Sequence, residues 1–312
     1  MLVKRVALLI SLVLGGILAA AARTEAEDSP VFVIGQDVQS IMDYQEALKD
    51  YAAIKEIHDP DGIMVYTAIN DLRGLAEPVD HGAGVNHADA LIQKYPQIKV
   101  VQIGLYLKFM LNEIVAGGLD ENIVQLGEWI KNSGKRVYLR IGYEFDNPEN
   151  GYDRPQYIQA YRHIVEHLRK RNVQNVYFVW HTIAWRKNDW PAYDPIQWYP
   201  GDQYVDWLGI SFFDSARNEE RDAAAELARK IQKPLMIAES SPFNCLTVEE
   251  KIKWMQELFG YMKNNHVKFL SYINVHWDAL PLFAEEKWGD ARLETSPVLM
   301  LAWLTELENY RK

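Results

Sequence analysis

The sequence is poor in cysteine, in cationic residues and in the short motifs that bind nucleotides or metals. Its single thiol, Cys245, among 312 residues excludes an intrachain disulfide, so the fold must rest on its core. A buried or incidental thiol suits Cys245 better than a nucleophile. Lys and Arg number 33 against 43 Asp and Glu, which leaves a net charge of −10. That balance argues against nucleic acid and anionic lipid as partners. No GxGxxG or Walker stretch follows a strand pattern, so a nucleotide-binding doubly wound sheet lacks support. His81, His87, His181 and His276 are scattered, with no HxH or HExxH spacing. No metal and no other cofactor is therefore expected for catalysis. A G-x-S-x-G elbow is missing too, which removes a serine hydrolase. There is no internal repeat, low-complexity tract or interdomain linker.

What is present is ordinary globular composition, 48% hydrophobic and 24% charged, with a conspicuous aromatic share. The 10 Trp, 17 Tyr and 10 Phe exceed what a core alone requires, and suit a surface that stacks on flat, weakly polar ligands. Residues 1–26, MLVKRVALLISLVLGGILAAAARTEA, carry Lys4 and Arg5, then an apolar run from Val6 to about Ala22, then small residues. This is the pattern of a secretory signal peptide; a single membrane anchor is the competing reading. The mature chain, residues 27–312, is expected to be secreted or periplasmic, free of the membrane after cleavage, and monomeric.

Eight short β-branched and aromatic runs follow: Val31–Asp37, Gly62–Asn70, Val100–Leu107, Arg136–Phe145, Val176–Thr182, Asp206–Phe213, Lys233–Ser240 and Lys268–Trp277. They are near-continuously apolar (VVQIGLYL, RVYLRIGY, VYFVWHT), as strands buried on both faces are in parallel sheets. Helical patterns separate them. Leu119–Ser133 opens at Asp120 and stops at Gly134; Arg154–Arg171 repeats apolar residues at helical spacing. Thr247–Asn264 begins with a Thr247/Glu250 capping box, and Ser296–Tyr310 closes the chain. Eight β/α units in one domain predict a (β/α)₈ TIM barrel, with an open doubly wound sheet as the alternative.

In a barrel the chemistry sits at the C-terminal strand ends. Those ends supply Asp37, Asn70, Tyr106, Tyr143-Glu144, His181, Phe213-Asp214, Glu239 and His276-Trp277. Glu144 and Glu239 interrupt strongly apolar strands, where a carboxylate is costly unless paired, hydrogen-bonded or functional. Two facing carboxylates allow glycoside hydrolysis, one protonating the leaving oxygen while the other attacks the anomeric carbon or activates water. The bland alternative is that each pairs with a base and merely closes the barrel.

The remaining candidates also carry two readings. Trp277 suits a stacking floor, or is a core or rim ring. Arg140 either keeps a carboxylate ionised or makes a structural ion pair. Tyr143 turns into the site or packs under a helix. His181 binds sugar hydroxyls, orients Glu144, or is a core histidine. Tyr106 and Asp37 join the substrate-binding set by position. Trp185, Trp190, Tyr193 and Trp198 crowd the irregular fifth loop, as outer subsites or as packing beneath it.

Three stretches resemble glycoside hydrolase family 26, of clan A: RVYLRIGYEF at 136–145, WYPGDQYVDWLGISFFD at 198–214 and KPLMIAESSP at 233–242. Known members include endo-β-mannanases and related β-glucanases and xylanases. The resemblance covers the chain from about residue 95 onward. It implies a retaining mechanism on a β-linked polysaccharide or oligosaccharide, with Glu144 as acid/base and Glu239 as nucleophile. Two positions depart from the family pattern. Tyr143 stands where the family usually has His, and Phe213 stands where it has a Tyr that contacts the nucleophile. A catalytically silent, glycan-binding barrel is the alternative function.

Overall fold

The computed structural model describes residues 30–53, 59–187, 190–214 and 219–312. The expected signal segment, 1–26, lies outside them. No helix among the described residues is long and apolar enough to cross a membrane.

Eight strands close into one barrel: β1 Val31–Gly35, β2 Gly62–Ala68, β3 Val100–Tyr106, β4 Arg136–Ile141, β5 Val176–Thr182, β6 Trp207–Phe212, β7 Leu235–Ser240 and β8 Phe269–Ile273. Their ladders are parallel, and β1 closes the ring on β8 from Val31↔Phe269 to Gly35↔Ile273. Closure excludes the open doubly wound sheet. Every expected strand is present. The fourth and eighth stop four residues short of the expected ends, Phe145 and Trp277, and the fourth stops for a reason that matters to the site.

Around the barrel lie α1 Val38–Ala47, α2 Ala88–Lys94, α3 Leu111–Val115, α4 Asp120–Ser133, α5 Arg154–Lys170, α6 Glu219–Lys230, α7 Val248–Asn264 and α8 Pro297–Arg311. The Thr247/Glu250 capping box forms, with both reciprocal hydrogen bonds in place. Gly134 ends α4 in the left-handed conformation. Asp120, expected to open that helix as its cap, does not cap it. Leu119 holds the cap position without a side-chain bond.

Strand alternation sorts the apolar residues into two cores. Phe32, Ile34, Val137, Leu139 and Ile237 face the helices, while Val33, Tyr138, Tyr177, Trp207, Met236 and Phe269 face inward. At the N-terminal end of the barrel Tyr138 stacks on Tyr177 at 5.0 Å and packs on Phe269 at 4.5 Å and Trp207 at 5.7 Å. Part of the aromatic excess is thus a floor that fills the barrel, and a cleft forms above it at the C-terminal end.

Gly62 lets β2 and β3 approach. A Cβ there would lie 2.0 Å from the Val100 carbonyl oxygen, which only a shift of the two strands would relieve. Gly62→Ala is therefore expected to cost about 3 kcal/mol of stability. Urea denaturation checks this; an unchanged midpoint would contradict the tight β2–β3 register.

Candidate active site

Strand β4 ends at Ile141 because the next residues leave extended geometry. Gly142 has φ +56°, and a Cβ on it would meet the Tyr157 ring at 2.8 Å. Glu144 itself has φ +49°, a conformation costing a non-glycine residue roughly 1 kcal/mol. The turn is held from three sides. Asn150 Nδ2 donates to the Tyr143 and Glu144 carbonyls at 3.1 and 2.9 Å; Asn147 N also donates to Glu144 O. Phe145 N donates to His181 O at 3.1 Å. Two left-handed residues around Tyr143 turn both its ring and the Glu144 carboxyl toward the cleft. Alternation along an uninterrupted strand would have sent Tyr143 outward, so the turn decides between its two readings.

Strand β7 delivers Glu239 by a different device. Ile210 pairs with Ile237, but Ser211 pairs with Glu239, so a bulge leaves Ala238 extra. Met236 and Ala238 face the interior; strict alternation would send Glu239 to the helices. The bulge lets the carboxylate follow Ala238 inward. Gln102 on β3 crosses the barrel and donates from Nε2 to Ala238 O at 2.6 Å, pinning the bulge one residue before Glu239.

Between the two glutamates lies Arg140, with 0% exposure. Its Nη1 donates to Glu239 Oε1 in a buried ion pair and lies 3.4 Å from His181 Nδ1. The Tyr66 and Tyr143 rings flank the guanidinium, centroids 5.0 and 5.3 Å from Cζ, at cation–π distance. A Cβ at Gly104 would sit 2.5 Å from the Tyr66 ring and 2.8 Å from Arg140 Nη2. Glycine in the middle of β3 is what admits this packing.

Burial and then the Arg140 cation hold His181 well below the usual imidazole range, so its ring is neutral. Facing an Arg donor, Nδ1 must accept, and Nε2 carries the hydrogen. That hydrogen points to Ser211 Oγ at 3.1 Å, and Ser211 donates on to Glu144 Oε1 at 2.6 Å. One chain, Glu239–Arg140–His181–Ser211–Glu144, therefore ties the two carboxyl groups together. The Glu144 pKa is pushed up to about 8, first by desolvation and second by the Glu239 charge. Hydrogen bonds from Ser211 and Asn147 oppose the rise. Burial first, with the Glu239 charge adding, pushes the Tyr66 and Tyr143 phenols well up, so both stay protonated.

The cleft above has a volume of about 940 Å³ and is lined by Glu144, Glu239, Tyr66, Tyr106, Tyr143, Trp185, Trp190, Phe213, Phe243, Trp277 and Trp288 among others. Tyr106, Tyr143, Trp185 and Trp277 thus come together as sequence position implied. Trp277 is 3% exposed, fixed by its Nε1 hydrogen bond to Ser241 and by Phe283 and Trp288. Little of its surface is open to the cleft it lines. In the fifth loop Trp185 and Trp190 line the cleft, whereas Tyr193 bonds Thr182 and Trp198 packs on Phe145 and Tyr157.

Asp37, Arg140 and His181 are engaged within the protein, and for Arg140 and His181 the readings as carboxylate partner and as orienter of Glu144 are the ones the geometry shows. Asp37 caps α1, its carboxylate accepting from Gln39 N, Ser40 N and the Ser40 hydroxyl. A strand end followed at once by a helix offers those free N–H groups, and they claim the side chain. Arg140 and His181, each with 0% exposure, lie beneath the cleft and hold the carboxyl groups instead. Ser211, Gln102 and Tyr66 were not singled out by sequence. Ser211 and Gln102 gave the same signal as the glutamates, a polar residue inside an apolar strand.

Ser211→Ala removes a hydrogen bond that favours the charged form of Glu144. The Glu144 pKa should rise by about one unit. Carboxyl ¹³C NMR titration measures it; an unmoved pKa would contradict the Ser211 contact.

Residues 141–275, which include both glutamates, match the family model of glycosyl hydrolase family 26. A β-1,3-xylanase from an Alcaligenes species and one from a Vibrio species are each 30% identical to this chain over 88% of its length. The chain spans 63% and 64% of the length of those two relatives. A family 26 β-mannanase from Bacteroides ovatus superposes with a TM-score of 0.60 over 92% of this chain and 89% of its own, at 12% identity. An endo-β-1,4-mannanase double mutant from Cellulomonas fimi gives 0.55 over 91% and 71%, at 17% identity. At those identities the superpositions speak to the barrel alone. This chain is thus similar to glycosyl hydrolase family 26 over residues 141–275 and to two β-1,3-xylanases along most of its length, and it shares its barrel with the two mannanases.

Proposed function

We propose that the chain is an exported, retaining endo-β-glycanase that cleaves a β-linked polysaccharide by double displacement. The observation that carries this reading is the opposite treatment of two carboxyl groups at one cleft. Glu144 is desolvated and held protonated at neutral pH, as a general acid must be. Glu239 is ion-paired to a buried guanidinium, as a nucleophile must be anionic.

In the first step the free Glu239 oxygen attacks the anomeric carbon. The glycosidic C–O bond breaks, and Glu144 gives its proton to the departing oxygen. Ser211 donates to Oε1 and Asn147 Nδ2 to Oε2 at 3.2 Å, so both carboxyl oxygens are oriented. Esterification then removes the Glu239 charge, which had been raising the Glu144 pKa. The pKa falls, and Glu144 becomes a base suited to deprotonating the incoming water. Water attacks the anomeric carbon and releases Glu239, and the configuration is retained after two inversions.

Aromatic rings that line the same cleft as the glutamates offer stacking surfaces for sugar units. The two relatives at 30% identity are β-1,3-xylanases, which makes β-1,3-xylan the first substrate to try. The signal-like segment at 1–26 supports export.

Glu239→Ala is expected to lower kcat at least about 10⁴-fold on β-1,3-xylan, β-mannan or a mixed-linkage glucan, whichever the native chain cleaves. The kcat/KM profile should lose activity as pH rises through about 8, where Glu144 gives up its proton. The alkaline limb should vanish in Glu144→Gln. Product NMR should report retention; inversion, or binding across the whole panel without hydrolysis, would overturn the proposal.

A further inference from the structure

Away from the cleft, the outer layer gathers Asp120, His163 and His167 into one cluster across α4 and α5. His163 and His167 are four residues apart on α5, so their rings leave the same face one turn apart. They stack with centroids 4.1 Å apart. Asp120, in the first turn of α4, sets Oδ1 2.6 Å from His163 Nε2 and Oδ2 3.3 Å from His167 Nε2. One donor atom from each residue lies within 4.8 Å of the others, and all three side chains are partly exposed.

The His167 ring is held at both nitrogens. His167 Nδ1 lies 2.9 Å from the His163 carbonyl oxygen. A carbonyl only accepts, so Nδ1 carries the ring hydrogen. The other nitrogen of a neutral ring then turns a bare lone pair toward a carboxylate oxygen 3.3 Å away. Two facing acceptors repel, so either a second ring proton, which makes a His167–Asp120 ion pair, or a metal cation sits between them. A backbone carbonyl that fixes the tautomer through the opposite ring nitrogen is also the usual support of a metal-bound histidine. Asp120 is free for the role because it does not cap its own helix.

We propose that Asp120, His163 and His167 bind a divalent transition metal of the zinc class, which clamps α4 to α5. Donor atoms around one tetrahedral zinc lie about 3.3 Å apart, so small side-chain rotations complete the site. Two imidazoles and a carboxylate favour Zn²⁺, Co²⁺ or Ni²⁺ over Ca²⁺ or Mg²⁺, which prefer oxygen donors. The fourth position is left to water. The site is independent of the glycanase reading and needs no substrate.

The test uses the tag-free full chain after chelator dialysis. Titration with ZnCl₂ followed by calorimetry should show one equivalent bound. The melting temperature should rise by roughly 5 °C at a hundredfold excess over Kd. CoCl₂ should give visible d–d absorption that saturates at one equivalent. His163→Gln and His167→Gln should each abolish stoichiometric binding while the metal-free chain melts nearly as before. His266→Gln, at an exposed site elsewhere, should bind as the native chain does. Failure to bind an equivalent at millimolar zinc, or undiminished binding in both α5 variants, would overturn the site.

Discussion

Arg140 carries a positive charge into the middle of the barrel, and the surrounding residues are arranged to keep it there. A buried ion without a counter-charge costs several kcal/mol. Here the compensation comes from Glu239 on β7, from the Tyr66 and Tyr143 rings on either side, and from the His181 lone pair. Each of these contacts fixes something else. Pairing with Glu239 orients a carboxylate at the cleft floor. The bond to His181 sets the tautomer that lets Ser211 donate to Glu144. The ring contacts require glycine at position 104. The two glutamates differ in character because Glu239 touches the Arg140 charge, whereas Glu144 is desolvated and feels the Glu239 charge instead.

The barrel was legible in the sequence because its strands are buried on both faces, and continuous apolar runs register that burial directly. The glutamates were legible for the complementary reason, since a carboxylate in such a run has no bland explanation in the strand itself. The same signal marked Gln102 and Ser211 less loudly, because an amide or hydroxyl in a strand is tolerated more cheaply than a charge. Asp37 misled for a local reason. A carboxylate at a strand end resembles a ligand contact until the helix that follows is seen to use it as a cap.

Faces were less legible than elements. Period-two reasoning assigns every strand residue inward or outward, and it fails wherever the backbone departs from the pleat. Two such departures occur here, the left-handed turn after β4 and the bulge in β7. Both sit beside a glutamate. The histidine pair on α5 escaped notice for a different reason. Its partner Asp120 belongs to another helix, and only the packing of α4 on α5 brings the three together.

The bulge in β7 has a consequence that reaches past the present chain. The inward aim of Glu239 depends on how many residues precede it in the strand rather than on which side chains surround it. Deleting one residue between Leu235 and Glu239 would leave the rest of the site's composition untouched and turn the carboxylate to the helices. Substitutions can erode such a site gradually; a change in residue count would switch it off in one step. The length of this short strand is therefore part of what aims the carboxylate.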